Sequence, residues 1–334
     1  AAARVQLRDL FGPFQHLVLE GNVGHGWLVD RDDPVQGVYG GARARYLRPG
    51  FITRDLELRV TAQWRDTLAP SALLRELSAG PGVRSTLAPG VFVEADVLYR
   101  HGRHLGLPAL DATSVMELQL PTSDTSRGLQ LVGGVTVDRR NDRVEPTRGW
   151  LLLARASYAP GGAASDHRWL QTVGEARGFV PLSPTWSVAG RARFGAVTLG
   201  GEGGVPMVAR LFGGGVDGMR GFARDHLSPT ACPADGGDCD LIVGGRSLFE
   251  SSLELRYLPR FMPYGGALFV DAGAAGRRLN PFEVGVSVAA GVGIRLRSWY
   301  VPIGVDLGYR VVDQNRVGAS TDRLLVFVHV GEAF

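Results

Sequence analysis

Lysine is absent from this sequence, so all 36 basic residues among its 334 are arginine. A nucleotide-binding P-loop requires a lysine, and that motif is therefore excluded. The arginines are spread along the chain without a basic run, so a pI near 9.1 does not indicate a nucleic-acid partner. The forked donors of arginine suit buried ion pairs, although a GC-rich genome is the simpler explanation of the composition.

Cysteine is scarce, with only Cys232 and Cys239, in the polar segment ACPADGGDCD. A close pair suits a disulfide in an oxidising compartment, but the spacing alone leaves two free thiols open. His101 and His104 have no third ligand nearby in the sequence, and no Gly-x-Ser-x-Gly elbow occurs. The glycine-spaced segment AGVGI, 290–294, has no following helix. We therefore predict no enzyme activity, no metal and no cofactor.

Long apolar runs are also missing: no run of about 18 apolar residues predicts a transmembrane helix. Strict alternation is present instead. In RDLELRVTAQWR, residues 54–65, the apolar residues share one parity and the polar residues share the other. Successive side chains of a strand point to opposite faces, so this strand has one apolar and one polar face. The pattern recurs along the chain in segments of about ten residues, the length that a tilted strand needs to cross a bilayer.

These strands predict a membrane barrel rather than a soluble sandwich. Trp and Tyr tend to lie at the ends of the apolar faces, where an interfacial girdle needs them. An open sheet leaves unpaired backbone groups in lipid, so the sheet must close. We predict an all-β fold, a transmembrane antiparallel β-barrel of about 16 strands. Residues 1–14 are expected to be an N-terminal lead-in, and residues 15–334 the barrel domain. The predicted strands are 15–25, 37–47, 54–66, 79–87, 91–101, 113–121, 128–139, 149–159, 167–181, 185–197, 246–258, 264–273, 284–297, 300–312 and 324–334.

Three motifs resemble those of one family. FGGGVDGMRGF, 212–222, resembles the Gly-Gly-x-x-x-(Val/Ile)-Arg-Gly-(Phe/Tyr) signature of the outer-membrane assembly and translocation superfamily typified by BamA and TamA. VDRRNDRVEPTRG, 137–149, resembles its periplasmic turn motif. The last strands and the terminal FVHVGEAF resemble its last four strands and targeting signal. The resemblance implies that the protein is located in the bacterial outer membrane. Members usually carry POTRA domains before the barrel, whereas only residues 1–14 precede the first predicted strand. The turn-motif residues are Asp138, Arg139, Pro146 and Gly149.

The longest stretch without a predicted strand, about 198–245, contains the first motif. An arginine in such a loop would ordinarily face water. The resemblance implies instead that the loop folds into the barrel lumen, where Arg220 binds Glu254 and Asp271 on the wall. Alternation supports this independently, because both acids have the parity of the polar face. A guanidinium can satisfy buried carboxylates with bidentate hydrogen bonds. The motif residues are Gly213, Gly214, Met219, Arg220, Gly221 and Phe222.

The resemblance implies an insertase or translocase that assembles β-barrel proteins into the outer membrane or moves proteins across it. We expect a lateral seam between the first and last strands, at Gly21, Gly24, Gly331 and Phe334. Glycine weakens a strand, although close side-chain packing is an alternative reason for these glycines. The expected partners are outer-membrane lipids, unfolded or partly folded client proteins, and separate periplasmic or lipoprotein subunits. The alternatives are a two-partner-type secretion pore and a structural barrel that anchors partner subunits.

Overall fold

The computed structural model describes residues 2–9, 12–26, 37–200, 203–259, 262–296, 303–314 and 323–330. Fifteen strands form one sheet in which every strand is antiparallel to its neighbours, and two short strands pair separately. The sheet strands are β1 (Ala2–Arg8), β2 (His16–Gly26), β3 (Gly37–Arg48), β4 (Leu56–Ala69), β5 (Ala72–Ala88), β6 (Val91–Leu105), β7 (Thr125–Asp138), β8 (Gly149–Pro160), β9 (Arg168–Pro181), β10 (Trp186–Leu199), β13 (Ser247–Tyr257), β14 (Tyr264–Gly276), β15 (Ser287–Leu296), β16 (Ile303–Val312) and β17 (Leu324–Val330). The short pair, β11 (Thr230–Ala231) and β12 (Leu241–Ile242), lies in the loop between β10 and β13.

Helical structure is confined to loops. It comprises one α-helix, α1 (Ala112–Leu118), and three 3-10 turns at Gly162–Ala164, Met207–Ala209 and Pro281–Val284. In the part of the chain that the structure describes, no helix combines the length and apolarity needed to cross a membrane.

The predicted strand 113–121 is wrong, because α1 occupies most of this segment. The side chain of Asp111 caps the helix by accepting the Ser114 N–H at 3.0 Å, which satisfies one of the free donors of its first turn. The helix buries Ser114 and Leu118, four residues apart, and a period-two interpretation misses that spacing.

The structure also corrects the N-terminal boundary. Residues 1–14 were expected to be a lead-in, but β1 lies within them and pairs with β2 from Ala2 opposite Asn22 to Arg8 opposite His16. The sequence AARVQLR alternates as the other strands do, so the signal is present but short. The predicted strand 15–25 is consequently the second strand of the sheet.

One interior strand is longer than its predicted range of 79–87, and one of its two ladders is interrupted. The strand β5 begins at Ala72, and its ladder with β4 continues through Gly80 and Pro81. Its ladder with β6 lacks pairs at these two residues and resumes at Gly82. Proline has no N–H to donate, so a gap at this point follows from its chemistry.

The two faces of the sheet differ as the alternation predicts. Leu253, Leu268 and Val292 are 61%, 56% and 51% exposed on the outer face. Glu254, which follows Leu253, and Asp271, which follows the exposed Val270, point inward and are fully buried. An apolar exterior around a charged interior is the arrangement of a barrel wall in a membrane.

Candidate functional site

The long loop between β10 and β13 packs against the inner face of the last strands. Met219 and Phe222 are buried in the largest apolar cluster together with Leu227 and Ala289. Gly214 has a φ of +94°, which favours glycine, and its N–H donates to Glu250 Oε1 at 2.8 Å. The motif therefore forms a tight turn with its apolar side chains directed into the core.

Arg220, at the tip of this turn, binds Asp271 of β14 through both ends of the carboxylate. Its Nε donates to Oδ2 at 2.8 Å and its Nη2 donates to Oδ1 at 2.9 Å. The Arg220 backbone N–H donates to Oδ2 as well, at 3.0 Å. Such bidentate, charge-assisted pairs are among the strongest hydrogen bonds in proteins.

The same guanidinium reaches two further strands. Its Nη1 donates to Glu254 Oε2 on β13 at 2.8 Å and to Asp306 Oδ2 on β16 at 3.0 Å. Its Nη2 donates to Ser252 Oγ at 2.9 Å, and its Cζ lies 3.4 Å from the ring centroid of Phe269. One loop side chain, only 1% exposed, therefore connects three wall strands.

Two wall arginines complete the cluster. Arg256 Nε and Arg295 Nη2 donate to Glu254 Oε1 at 2.9 Å and 3.0 Å. Arg295 Nη1 also donates to Asp306 Oδ1, and His329 Nε2 of β17 lies 3.4 Å from Asp306 Oδ2. The three carboxylates and three guanidinium groups sum to zero charge (3 − 3) before the histidine is counted. This balance offsets the cost of burying each ion. We call these six residues and His329 the ion cluster.

The backbone of the turn also contacts the wall closely. A Cβ on Gly221 would lie 2.5 Å from Ala289 Cβ, which is closer than side chains approach. Arg310 of β16 donates from Nε to the Gly221 carbonyl at 2.8 Å and stacks over the Phe222 ring at 4.1 Å. The close approach explains why glycine, rather than a larger residue, follows Arg220.

The turn motif between β7 and β8 is held by local hydrogen bonds. Arg140 donates from Nε and Nη2 to the two carboxylate oxygens of Asp138, both at 3.0 Å. Gly149 has a φ of +104°, and Pro146 is buried. The N–H groups of Glu145 and Val144 lower the pKa of Asp142 in this turn. The carboxylate of Asp138 pairs with Arg140 and not with the motif residue Arg139.

A cap covers the long-loop end of the sheet, formed by α1 and the segment around β11 and β12. Cys232 and Cys239 form a disulfide in this cap, and the Cys232 N–H donates to Ser114 Oγ at 2.9 Å. Arg210 donates from Nη1 to the Leu118 carbonyl at 2.9 Å, at the C-terminus of α1. Burial, with repulsion from Arg246, lowers the pKa of Arg210 to about 9, so it remains charged at neutral pH.

Replacing both cysteines by serine should loosen the cap without releasing Arg220. The bridged residues are separated by 7 positions. Closing so short a loop contributes about 2–3 kcal/mol to the local stability of the cap. Limited proteolysis should therefore cut the cap of the double variant faster than that of the parent protein. The unfolding midpoint of the barrel, followed by heat-dependent gel mobility, should barely change. A fall as large as that of an Arg220→Ala variant would contradict this prediction.

The structure places the two described seam residues, Gly21 and Gly24, on β2 rather than on an edge strand. Gly21 lies on β2 between Ala3 of β1 and Ala42 of β3, so it is not on an edge strand. A Cβ on Gly24 would lie 2.6 Å from Tyr39 Cζ, which favours close packing as the reason for that glycine. Gly331 and Phe334 lie outside the described residues.

Sequence reasoning named Arg220, Glu254 and Asp271, and the structure brings these three together. It missed the other members of the site, although the parity of Asp306 already placed its side chain on the polar face of its strand. Among the described residues, no group of three or more His, Cys, Asp or Glu is arranged to hold a metal ion. The missed contacts of Arg220 and its partners are Ser252, Arg256, Phe269, Arg295, Asp306 and His329.

Together, these features define a membrane β-barrel whose own loop is tied into the lumen by a buried arginine. The sequence matches the Omp85 superfamily domain over residues 42–325, and the chain belongs to this superfamily. It is therefore an outer-membrane β-barrel protein, and the predicted barrel fold, location and family are confirmed. Members of the superfamily are non-enzymatic assembly or translocation factors.

Individual relatives agree with this assignment. Over 172 residues, 51% of this chain, the sequence is 31% identical to the outer membrane protein assembly factor BamA of Nitratidesulfovibrio vulgaris. The match spans only 21% of that protein. The structure of Haemophilus ducreyi BamA lacking POTRA domains 1–3 has a TM-score of 0.72 at 16% identity, covering 99% of this chain and 69% of that one. CdiB from Acinetobacter baumannii has a TM-score of 0.58 at 12% identity, covering 99% and 56%. At these identities, the solved structures show similarity of fold alone.

Proposed function

We propose that the chain forms the barrel of an outer-membrane insertase or translocase, which receives client strands at a lateral seam between β1 and β17. One observation carries this proposal. Within the described ranges, β1 pairs only with β2, and β17 pairs only with β16. Each of these edges presents a row of backbone N–H and C=O groups, to which an extended segment can add.

The direction of the two edge strands supports the same proposal. Fifteen strands, each antiparallel to the next, make β1 and β17 run in the same direction. One added strand, antiparallel to both, would complete an antiparallel cylinder. In lipid, each unsatisfied backbone group costs several kcal/mol, so pairing of a client strand would be strongly favourable without ATP.

The ion cluster would make the β17 side of the seam rigid. Arg220 binds strands β13, β14 and β16, and His329 of β17 adjoins Asp306 of the same cluster. The β1 side chains, by contrast, are all exposed. The last strands would therefore serve as a rigid template while the β1 side moves to admit a client. Outer-membrane lipids, unfolded client proteins and accessory subunits are the proposed partners.

A covalent bridge across the seam should abolish insertion. Val5 of β1 and Val328 of β17 are 52% and 69% exposed, so cysteines at both positions would be accessible to bis-maleimides of different lengths without reduction of the native disulfide. The assay is folding of a urea-denatured β-barrel client into liposomes that contain the protein, read by heat-dependent gel mobility. Leu152 and Ala176, already paired across β8 and β9, supply the control bridge. Full insertion by the seam-bridged protein, at equal cross-linking yield, would refute the seam.

An Arg220→Ala variant separates insertion from secretion through the lumen. The tied loop occupies the lumen beside β13–β16, so a secretion pore would have to break the ion cluster for each passage. If single channels of the parent protein open as readily as those of an Arg220→Ala variant, the secretion pore is favoured. Closed parent channels with active insertion would favour the insertase.

A further inference from the structure

A second charged region of the lumen lies away from the ion cluster. Strands β3–β6, β8 and β9 line a cavity of about 370 Å³, a volume within the range of ligand sites. Three acids and six arginines share its lining, and Glu20 beside it pairs with two of these arginines, which leaves an excess of two positive charges (6 − 4). The acids are Glu76, Glu94 and Asp96. The arginines are Arg43, Arg45, Arg59, Arg65, Arg100 and Arg155.

Four of these arginines have carboxylate partners. Arg59 binds Glu94 and Asp96, both at 3.1 Å, and Arg100 binds Glu76 at 3.2 Å. Arg43 and Arg45 share Glu20, at 3.8 Å and 3.0 Å. The wall acids are therefore already engaged by these four arginines.

The remaining two, Arg65 and Arg155, carry the excess charge. Neither side chain forms an ion pair or a hydrogen bond with any residue that the structure describes. Both lie within electrostatic range of Arg100, which adds repulsion inside the cavity, and Arg155 also lies within range of the Asp96 carboxylate. An incoming anion would relieve this repulsion and would be held by guanidinium groups whose donors match a carboxylate.

The long loop borders the cavity on its cap side. The long loop crosses the wall on the cap side, where Gln171 Nε2 donates to the Ala209 carbonyl at 2.9 Å. A Cβ on Gly102 would lie 3.0 Å from Val208 Cγ2 of the same loop. A ligand would therefore enter from the short-turn end, which the turn motif of residues 138–149 marks as the periplasmic one.

We propose that this cavity binds acidic side chains of an extended client polypeptide as it enters from the periplasmic end. The proposal rests on the proposed function, because it names a chemical feature of the client. A peptide is favoured over a lipid because Leu98 is the only apolar side chain in the lining, which leaves no surface for an acyl chain. The polar lining residues suit a peptide backbone; they are Thr61, Gln63, Ser78, Ser157 and Gln171.

The test compares two ten-residue peptides that differ only in charge, one carrying alternate Glu and the other alternate Gln. Fluorescence anisotropy with the full chain in detergent micelles should show tighter binding of the Glu peptide. In an Arg65→Gln/Arg155→Gln variant, its affinity should fall by about tenfold or more. Arg224→Gln is the control, because that side chain is 82% exposed in the loop. Heat-dependent gel mobility verifies that each variant folds.

Three results would overturn the inference. Equal affinity for the Glu and Gln peptides would exclude charge recognition, and undiminished binding by the double variant would place the site elsewhere. Binding of phosphatidylglycerol vesicles or inorganic phosphate without binding of the Glu peptide would show the ligand class to be wrong. Failure of the proposed function can be distinguished from failure of this inference. A seam bridge without effect on insertion refutes the seam, whereas peptide binding is measured without any insertion step.

Discussion

Arg220→Ala should release the loop from the wall and lower the free energy of unfolding by about 3–5 kcal/mol, as breaking a buried ion pair does. The change removes five side-chain hydrogen bonds to four residues of three strands. Three carboxylates would then share two guanidinium groups in a buried site. Water entering the vacated space cannot supply the missing charge, so the loop should detach rather than settle in place.

Two measurements check this expectation. The temperature at which heat-dependent gel mobility is lost should fall, and protease should cut the loop in the variant but spare it in the parent. Arg224→Ala, in the same loop and 82% exposed, is the matched control and should behave like the parent. Arg220→Lys keeps the charge but cannot form the bidentate pair, so an intermediate result is expected. A parent-like midpoint and parent-like protease resistance in Arg220→Ala would show that the cluster does not hold the loop.

The sequence was sufficient to predict Glu254 and Asp271 as partners of Arg220, because two kinds of information agreed on them. Parity placed both side chains on the inner face, and the motif resemblance supplied their partner. Ser252 and Phe269 could not be found this way, because they join the site through strand register: Ser252 lies opposite Asp271, and Glu254 lies opposite Phe269. Register depends on how neighbouring strands pair, which the alternation within one strand does not specify.

The errors in the fold also have physical causes. The helix α1 owes its position to a cap that packs it under the long loop, with Arg210 bound to the carbonyl of its last residue, Leu118, so its stability is largely tertiary. The prediction for β5 began at residue 79 and left out residues 72–78, yet β4 pairs with residues 72–85 without interruption. The strand β1 was overlooked because seven residues give few alternations to count.

The two luminal regions differ in their charge balance. Around Arg220, opposite charges balance and the loop fills the space, so this side of the barrel is suited to rigidity. Along β3–β6, β8 and β9, positive charge exceeds negative charge and space remains, so this side is suited to binding an anionic ligand transiently. The proposed seam lies beside the rigid half of the barrel. The excess positive charge on the other half would direct an entering acidic segment along the wall that leads to β1.

Exchanging one methyl group between loop and wall tests the docked loop without altering any charge. Gly221→Ala alone should prevent docking and lower the unfolding midpoint, because its Cβ would lie 2.5 Å from Ala289 Cβ and both atoms are fixed to backbone. Overpacking of this kind costs about 1–3 kcal/mol. Ala289→Gly alone should cost about 0.5–1 kcal/mol, as glycine does in a strand.

The double variant Gly221→Ala/Ala289→Gly should recover most of the lost stability, since the next atoms around the new Cβ lie 3.6 Å and 3.7 Å away. A double-mutant cycle on the unfolding midpoint measures this coupling. Gly174→Ala is the control, because a Cβ there has no atom within 4 Å and should change little. Additive losses in the double variant would mean that Gly221 and Ala289 are not in contact, and the loop would then occupy a different position in the lumen.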